Sequence, residues 1–415
     1  VSELNGYHSY WSKPRLAQGQ RLSISDYELL TMGLSAAHFR KLGHKMTLVT
    51  DSIGAKFYEQ LGVTCLYDEV LTELDKVVGV DPNVFWAAGK LYAYELMPTP
   101  SMSIDLDAVV WCIPEDMDEH VYDVGVLHED FSDWDCYHSS KELYGDLGFK
   151  SGSWDWDVIP YNVGVLWFNN DMLVSMYVSL SQAFMENYTR FYTREMMTKR
   201  SRGLVKKGRR ARVFEQIFAE QQLLSMVADR AGARVYKFTE IDKSIDYIKP
   251  NKYVSHLWSM KSVYRSVPEI KDVVVAGLLN KLGKEYKDTE NLVGCVERAY
   301  SKNGRIIDGD AMEGQFRFKD MVTSTGHSGS DSGIVRVLDV SDVRGEIKAI
   351  EPCFGFERNV REGSKIVMGE TLLLGEGSSC TISNGRTALS VTPKGRRCDE
   401  KGYAVLRVVR GETVP

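Results

Sequence analysis

The sequence predicts an α/β chain built on a mainly parallel sheet with helices on both faces, followed by a small all-β domain. Three observations predict it. Short apolar runs alternate with segments of helical periodicity through the first ~325 residues. Apolar runs such as Met46 to Thr50 are short and continuous, as buried parallel strands require. Beyond residue 325 the helical period stops, and short Val/Ile/Leu runs separate Gly-rich turns.

Taken in order, Gly6 to Trp11 reads as a first strand. Ser25 to Leu42 has apolar residues at helical spacing, with Ser23 and Ser25 as N-caps and Gly43 as a stop. Met46 to Thr50 is a strand ending at Asp51, and Ala55 to Leu61 is a helix stopped by Gly62. Val84 to Leu96 reads as a helix, and Ile104 to Trp111 as the strand carrying two aspartates, Asp105 and Asp107. Val158 to Phe168 is a loop entering a strand, in which Gly164 allows close approach of a ligand or a neighbouring strand. Asp171 to Tyr188 and Val213 to Ala231 are amphipathic helices, and Tyr253 to Trp258 is a short extended piece containing His256. Thr323 to Gly333 is a Ser/Gly linker. The expected domains are therefore 1–322 and 334–415, the second holding about seven strands.

A chain of 415 residues is too long for one ordinary core. Its 43% hydrophobic and 26% charged residues suit a globular protein, and no apolar run is long enough to span a bilayer. Seven dispersed cysteines without C-x-x-C spacing imply neither a zinc site nor a disulfide framework. With no secretory-type N-terminus, they point to a reducing, cytoplasmic setting, with peripheral membrane contact as a variant of it. The net charge of −6 hides an asymmetry: residues 190–212 hold ten Lys/Arg against Glu195 alone. That run reads either as a solvated loop or as a grip for an anionic acceptor or surface.

Chemistry concentrates at Ser103-Ile104-Asp105-Leu106-Asp107. In an extended chain residues i and i+2 share a side, so Asp105 and Asp107 would present two carboxylates together. Side by side and buried they repel each other, and Mn²⁺ or Mg²⁺, bound also through substrate phosphates, would remove that repulsion. The alternative is an Asp-rich turn on a solvated edge. In parallel sheets ligands bind beyond the carboxyl ends of the strands, where Asp51, Asp105 and Asp107 all fall.

The stretch WAAGKLYAYELMPTPSMSIDLDAVVW resembles the core of GT-A glycosyltransferases, especially the glycogenin and lipooligosaccharide galactosyltransferase group. There a Lys-Leu-x-x-aromatic helix, here Lys90 to Tyr94, leads to a metal-binding D-x-D, here Asp105 and Asp107. Further blocks follow in the same order: Asn162-Val163-Gly164, like the segment lining the sugar pocket; Glu220-Gln221, like an Asp-Gln helix start; and His256 with Lys261, like a late His...Lys segment. Tyr7, His8, Ser9 and Tyr10 occupy the place of the nucleotide-holding first strand. The departures are Glu220 for Asp, a His256 block without its internal Gly and final Pro-Trp, and a first strand without its Thr-rich wording.

The resemblance implies a GT-A (Rossmann-like) fold and transfer of a sugar from a nucleotide-sugar donor, UDP-linked, to an unknown acceptor, with retention as in the nearest relatives. It implies Asp105, Asp107 and His256 as metal ligands. Tyr7, His8, Ser9, Tyr10, Asp51, Lys90, Asp105 and Lys261 would meet the donor nucleotide. Charge at the anomeric carbon would be met by nearby carboxylates, for which Asp155, Asp157 and Glu220 are candidates, with Gln221 beside Glu220. Trp154, Asp155, Asn162 and Gly164 would line the substrate pocket; Trp154, Trp156 and Tyr161 suit either stacking or a core. His8, His128 and His138 also fit structural or surface roles. The C-terminal run from Ser364 to Pro393 resembles the small β-domains of FecR-like periplasmic proteins; it is expected to bind a partner or acceptor, or to aid oligomerisation. Two other classes compete: a nucleic-acid- or carbohydrate-binding protein on a degenerate scaffold, and a nucleotidyltransferase. Neither needs the full set of blocks.

Overall fold

In this computed structural model the structure describes residues 3–130, 154–191, 214–242, 247–248, 252–258, 260–286, 289–294, 322–323, 337–367, 369–383, 388–393, 403–408 and 413–414. The basic run 190–212 beyond Phe191, the linker beyond Thr323 and His138 lie outside them. Thr323 itself belongs to a two-residue strand that pairs in parallel with Ile24–Ser25.

The first strands and helices alternate: β1 (Asn5–Tyr10), α1 (Lys13–Ala17), β2 (Ile24–Ser25), α2 (Asp26–Lys41), β3 (Lys45–Thr50), α3 (Ser52–Gln60) and β4 (Glu69–Leu71). Then come α4 (Ala88–Ala93), β5 (Ser101–Ile104), β6 (Ala108–Val110), β7 (Val124–Glu129), β8 (Tyr161–Phe168) and α5 (Asp171–Phe191). A seven-stranded sheet runs β4-β3-β1-β5-β8-β7 and ends on β9 (Val235–Lys237). It is mainly parallel, with β8 antiparallel to both of its neighbours. Alternate side chains feed two cores, one on each face. Met46 and Leu48 of β3 pack with α2, whereas Val49 packs with α4 and α5.

Local chemistry explains the element ends. Ser25 and Glu28 form a capping box at the start of α2, and the Asp51 carboxylate accepts from Gly54 N to start α3 three residues before the expected helix. The expected helix over Val84 to Leu96 is shorter, because the helix starts only at Ala88 and Tyr94–Leu96 is a 3₁₀ turn. Gly89 lets α4 press onto Trp11: a Cβ there would lie 2.7 Å from the Trp11 Cβ. The helix expected from Val213 to Ala231 is described from Phe214 and is interrupted: α6 (Phe214–Ile217), a π turn (Phe218–Gln222) and α7 (Leu223–Ala231). The π turn leaves backbone carbonyls without helical partners. Tyr177 Oη donates to Glu220 O at 2.6 Å and Ser181 Oγ to Ala219 O at 2.8 Å.

The single strand expected over Ile104 to Trp111 is two strands. The chain turns at Asp105–Asp107, with Ala108 N donating to Asp105 O at 2.9 Å. After the turn, β6 leaves the main sheet and pairs antiparallel with β12 (Val254–His256). Between β9 and β12 lies the small hairpin of β10 (Ile241–Asp242) and β11 (Tyr247–Ile248). Helices α8 (Met260–Ser266) and α9 (Pro268–Glu285) follow and pack beside α2.

The C-terminal region is antiparallel. After β13 (Val322–Thr323), one sheet contains β14 (Val337–Arg344), β17 (Lys365–Val367), β19 (Ser379–Ser383) and β20 (Ala388–Val391). The other contains β15 (Ile347–Ile350), β16 (Glu357–Asn359), β18 (Thr371–Leu374), β21 (Ala404–Val408) and β22 (Thr413–Val414). Both contribute to one buried core, with Ile347, Leu372, Leu374, Ile382 and Leu406 at its centre. The seven expected strands are present, with β16 and β22 in addition.

Candidate functional site

Two backbone features bring the site together. The β6–β12 ladder sets His256 opposite Ala108, and Leu257 N donates to Asp107 O at 2.9 Å. From the other side, Asp105 N donates to Gly164 O at 2.8 Å. Strand β8 is irregular there: β7 advances from Val126 to His128 while β8 passes from Leu166 to Asn162. Asn162 Oδ1 turns back to accept from Gly164 N at 2.9 Å. A Cβ on residue 164 would lie 2.6 Å from His256 Cε1, so the glycine makes room for the imidazole rather than for a strand.

Asp105, Asp107 and His256 each offer a ligand atom, and all three atoms lie within 4.8 Å of one another. His256 Nε2 is 3.4 Å from Asp107 Oδ1 and 3.8 Å from Asp105 Oδ2. Ligands about 2.1 Å from a common ion stand about 3.0 Å apart at right angles and about 4.2 Å apart when opposed. The spacing and the two-carboxylate, one-imidazole chemistry therefore fit Mn²⁺ or Mg²⁺.

The remaining carboxylate oxygens face lysines. Lys90 Nζ is 2.6 Å from Asp105 Oδ1 and 2.5 Å from Glu220 Oε1. Lys261 Nζ is 2.8 Å from Asp107 Oδ2 and 3.2 Å from Glu28 Oε1. Burial alone would raise the Asp107 carboxyl, but Lys261 and His256 hold it well below the usual range. Burial alone would lower the Lys90 ammonium, but Asp105 and Glu220 outweigh it and hold the lysine charged. Burial likewise works against the Glu28 carboxylate, and Lys261 and Ser25 reverse it. Four carboxylates thus face two ammoniums, an excess of carboxylate that suits a bound cation.

Asp105, Asp107, Lys90, Lys261 and Glu28 line a cleft of about 820 Å³, whose other walls include Tyr10, Trp11, Arg15, Arg21 and Trp86. Residues 7–288 match the model of the family of unknown function DUF6734. The chain belongs to this family. Comparison with curated proteins gave no match. Among solved structures, the chain is similar to mouse xyloside xylosyltransferase 1 in its apo form, at 12% identity and a TM-score of 0.29, covering 57% of this chain and 85% of that one. It is also similar to galactosyltransferase LgtC in complex with donor and acceptor sugar analogues, at 11% identity and a TM-score of 0.29, covering 61% of this chain and 86% of that one.

The other expected residues of this DUF6734 chain are spread over several places. Ser9 and Tyr10 line the cleft. Tyr7 does not: its side chain is buried in the core on the α4–α5 face. His8 is a core histidine, with Nδ1 2.6 Å from Tyr67 Oη and Nε2 3.0 Å from Ser35 Oγ. Both of its ring nitrogens are thus engaged inside the protein, and burial lowers its pKa to about 3. The Asp51 carboxylate is also used internally, accepting from Ser12 N, Ser12 Oγ and Gly54 N at 2.7–2.8 Å. It ties the end of β1 to α3 instead of facing a ligand.

Asp155 and Asp157 lie exposed on the loop before β8, where Asp155 Oδ1 accepts from Asp157 N at 2.8 Å. Neither lines the cleft. Trp154 lies under the Arg230 guanidinium, 4.8 Å from its ring centroid, and Trp156 stacks on Phe218. Gln221 is half-buried on the π turn beside Glu220. His128 is buried 5.9 Å from the Trp258 ring, with Nδ1 against Glu129 O.

Glu28 and Gln216 were not anticipated. Glu28 was legible only as a helix-capping residue: Oε2 serves Ser25 while Oε1 faces Lys261. Gln216 Nε2 donates to Glu220 Oε2 at 3.2 Å, and its Oε1 accepts from Ala87 N at 3.1 Å. It is buried one helical turn before Glu220, a spacing with no signal that separates it from a core residue.

Proposed function

We propose that this chain is a metal-dependent glycosyltransferase of GT-A type, taking a nucleotide-sugar donor, UDP-linked first among the candidates. The observation that carries the reading is the convergence of Asp105, Asp107 and His256: the two aspartates line the 820 Å³ cleft with Lys90 and Lys261, and the buried His256 lies beside them. The order of the sequence blocks supports it.

Asp105 Oδ2, Asp107 Oδ1 and His256 Nε2 would hold the cation. When bound, a divalent ion supplies Lewis-acid stabilisation to charge growing on a diphosphate. Lys261, with Arg15 and Arg21 on the same cleft, offers further positive charge to phosphate oxygens. Lys90 joins Asp105 to Glu220, so the two carboxylates share one counter-charge. Glu220 is then the candidate to face positive charge at the anomeric carbon, oriented by Lys90 and Gln216. Asn162, with Oδ1 engaged by Gly164 N, keeps its amide NH₂ for a sugar hydroxyl. The acceptor is proposed to be anionic, met by residues 190–212; high salt and neutralisation of Lys206, Lys207, Arg209 and Arg210 should then weaken its binding alike.

The test is a thermal-shift screen of UDP- and GDP-sugars with and without Mn²⁺, followed by assay of donor hydrolysis. A donor at about 100 times its Kd should add about 2.7 kcal/mol to stability. No shift with any sugar nucleotide in Mn²⁺, and no hydrolysis, would overturn the reading. Pyrophosphate release from a nucleoside triphosphate would favour a nucleotidyltransferase.

A further inference from the structure

The C-terminal module touches the site-bearing part of the chain at the two elements that deliver His256 and Lys261. Ser255, next to His256 on β12, donates through Oγ to Cys353 O at 2.6 Å and accepts from Trp111 Nε1 at 2.8 Å. Tyr264, one helical turn after Lys261 on α8, donates through Oη to Glu351 Oε1 at 2.7 Å. Both residues are buried, and Glu351 is 0% exposed.

The loop making these contacts is closed on itself. Glu351 Oε1 accepts from Cys353 N and Oε2 from Phe354 N, at 2.9 and 2.7 Å. Glu351 N donates to Phe356 O at 2.9 Å, and Gly355 N to Glu351 O at 3.0 Å. Phe356 seats on Gly277 of α9, where a Cβ would stand 2.7 Å from the ring. Tyr264 also meets Tyr27 of α2 edge to face at 5.1 Å, close to Glu28 in sequence. A buried serine and tyrosine hydroxyl would lose these acceptors if the loop left.

We propose that the loop from Glu351 to Phe356 braces β12 and α8, making Ser255, Tyr264 and Glu351 positioning residues for His256 and Lys261. The inference rests on the metal-site reading above for its consequence, and on the contacts alone for its mechanism. It gives the C-terminal module a defined role. Strand β12 has three residues and pairs only with β6 among the described residues, so the loop supplies its second support.

The test compares full-length wild type, the double variant Ser255→Ala/Tyr264→Phe, and Ile382→Val in the core of the C-terminal module. Amide hydrogen exchange is read over Val254–His256 and Met260–Ser266, and Mn²⁺ affinity by titration. The double variant should exchange at least about tenfold faster in both segments and bind Mn²⁺ about tenfold more weakly, in the range that outer-shell changes produce. Amides of β3 and α2 should be unchanged, and Ile382→Val should alter neither segment. Should the double variant fail to fold, Ser255→Ala alone should show the same signs at β12. Unchanged exchange in these segments would overturn the proposal, as would faster exchange with unaltered Mn²⁺ affinity. A wild type that binds no Mn²⁺ would instead overturn the metal site, and the exchange result alone would then decide the brace.

Discussion

Gly164 and His256 are in such close contact that no side chain fits between them: a Cβ on residue 164 would lie 2.6 Å from the imidazole Cε1 and 3.0 Å from Nδ1. The cost of Gly164→Ala therefore falls on the candidate metal ligand. The imidazole must shift, because strand β8 is buried on both faces. Gly164→Ala should weaken Mn²⁺ binding at least tenfold and lower stability by about 1–3 kcal/mol through overpacking. Metal titration beside chemical denaturation checks it, and unchanged Mn²⁺ affinity would exclude His256 as a ligand.

The two aspartates face different lysines but should share one effect. Asp107→Asn removes a candidate ligand and half of the charge facing Lys261, whose other partner is Glu28. Asp105→Asn does the same for Lys90 and Glu220. Each should abolish metal-dependent donor hydrolysis while preserving the circular dichroism spectrum. Retention of near-wild-type hydrolysis in Mn²⁺ by either variant would show the site to be misassigned.

Lys90 offers a stability prediction independent of any metal. Lys90→Met leaves Asp105 and Glu220 without their shared counter-charge in a largely buried setting. Loss of one partner of such a cluster costs about 3–5 kcal/mol. Glu220→Gln should cost less, since Lys90 keeps Asp105 and the amide can still accept a hydrogen bond. Urea denaturation of the two variants gives the order directly, and the reverse order would mean that Lys90 is not held by this pair.

Glu351 should make stability depend on pH. Burial pushes its carboxyl up from 4.5 to about 7, against the donors Tyr264, Cys353 N and Phe354 N, and Glu370 adds to the rise. A raised pKa means that the folded state holds the proton longer than the unfolded one. Its contribution is complete below about pH 4.5 and is lost as pH rises through about 7. His8 and His128 run the other way, their pKa values lowered by burial to about 3 and about 4. The informative quantity is therefore the difference from Glu351→Gln, which should move in the variant's favour by about 2 kcal/mol from pH 5 to 7. A constant difference across that window would count against the shift.

The sequence by itself determined the alternation that builds the parallel sheet, the all-β character of the C-terminal region and the residues that meet at the candidate metal site. Asp105, Asp107, Lys90, His256 and Lys261 were legible because each sits in a short block that resembles a GT-A glycosyltransferase segment. Periodicity is a local property, so it also misled locally: one strand was expected where the chain turns at Asp105–Asp107, and one helix where a π turn carries Glu220. Side-chain direction was beyond its reach, so His8 and Asp51 were expected at a ligand but are spent on Ser35, Tyr67, Ser12 and Gly54.

Only the tertiary structure decided what meets across long separations. The pairing of β6 with β12 brings His256 to the aspartates, and α2 brings Glu28 to Lys261. The loop at Glu351 is likewise brought onto Ser255 and Tyr264. These contacts depend on strand register and on which faces are buried together, and both are set by the packing of the whole chain rather than by any window of residues.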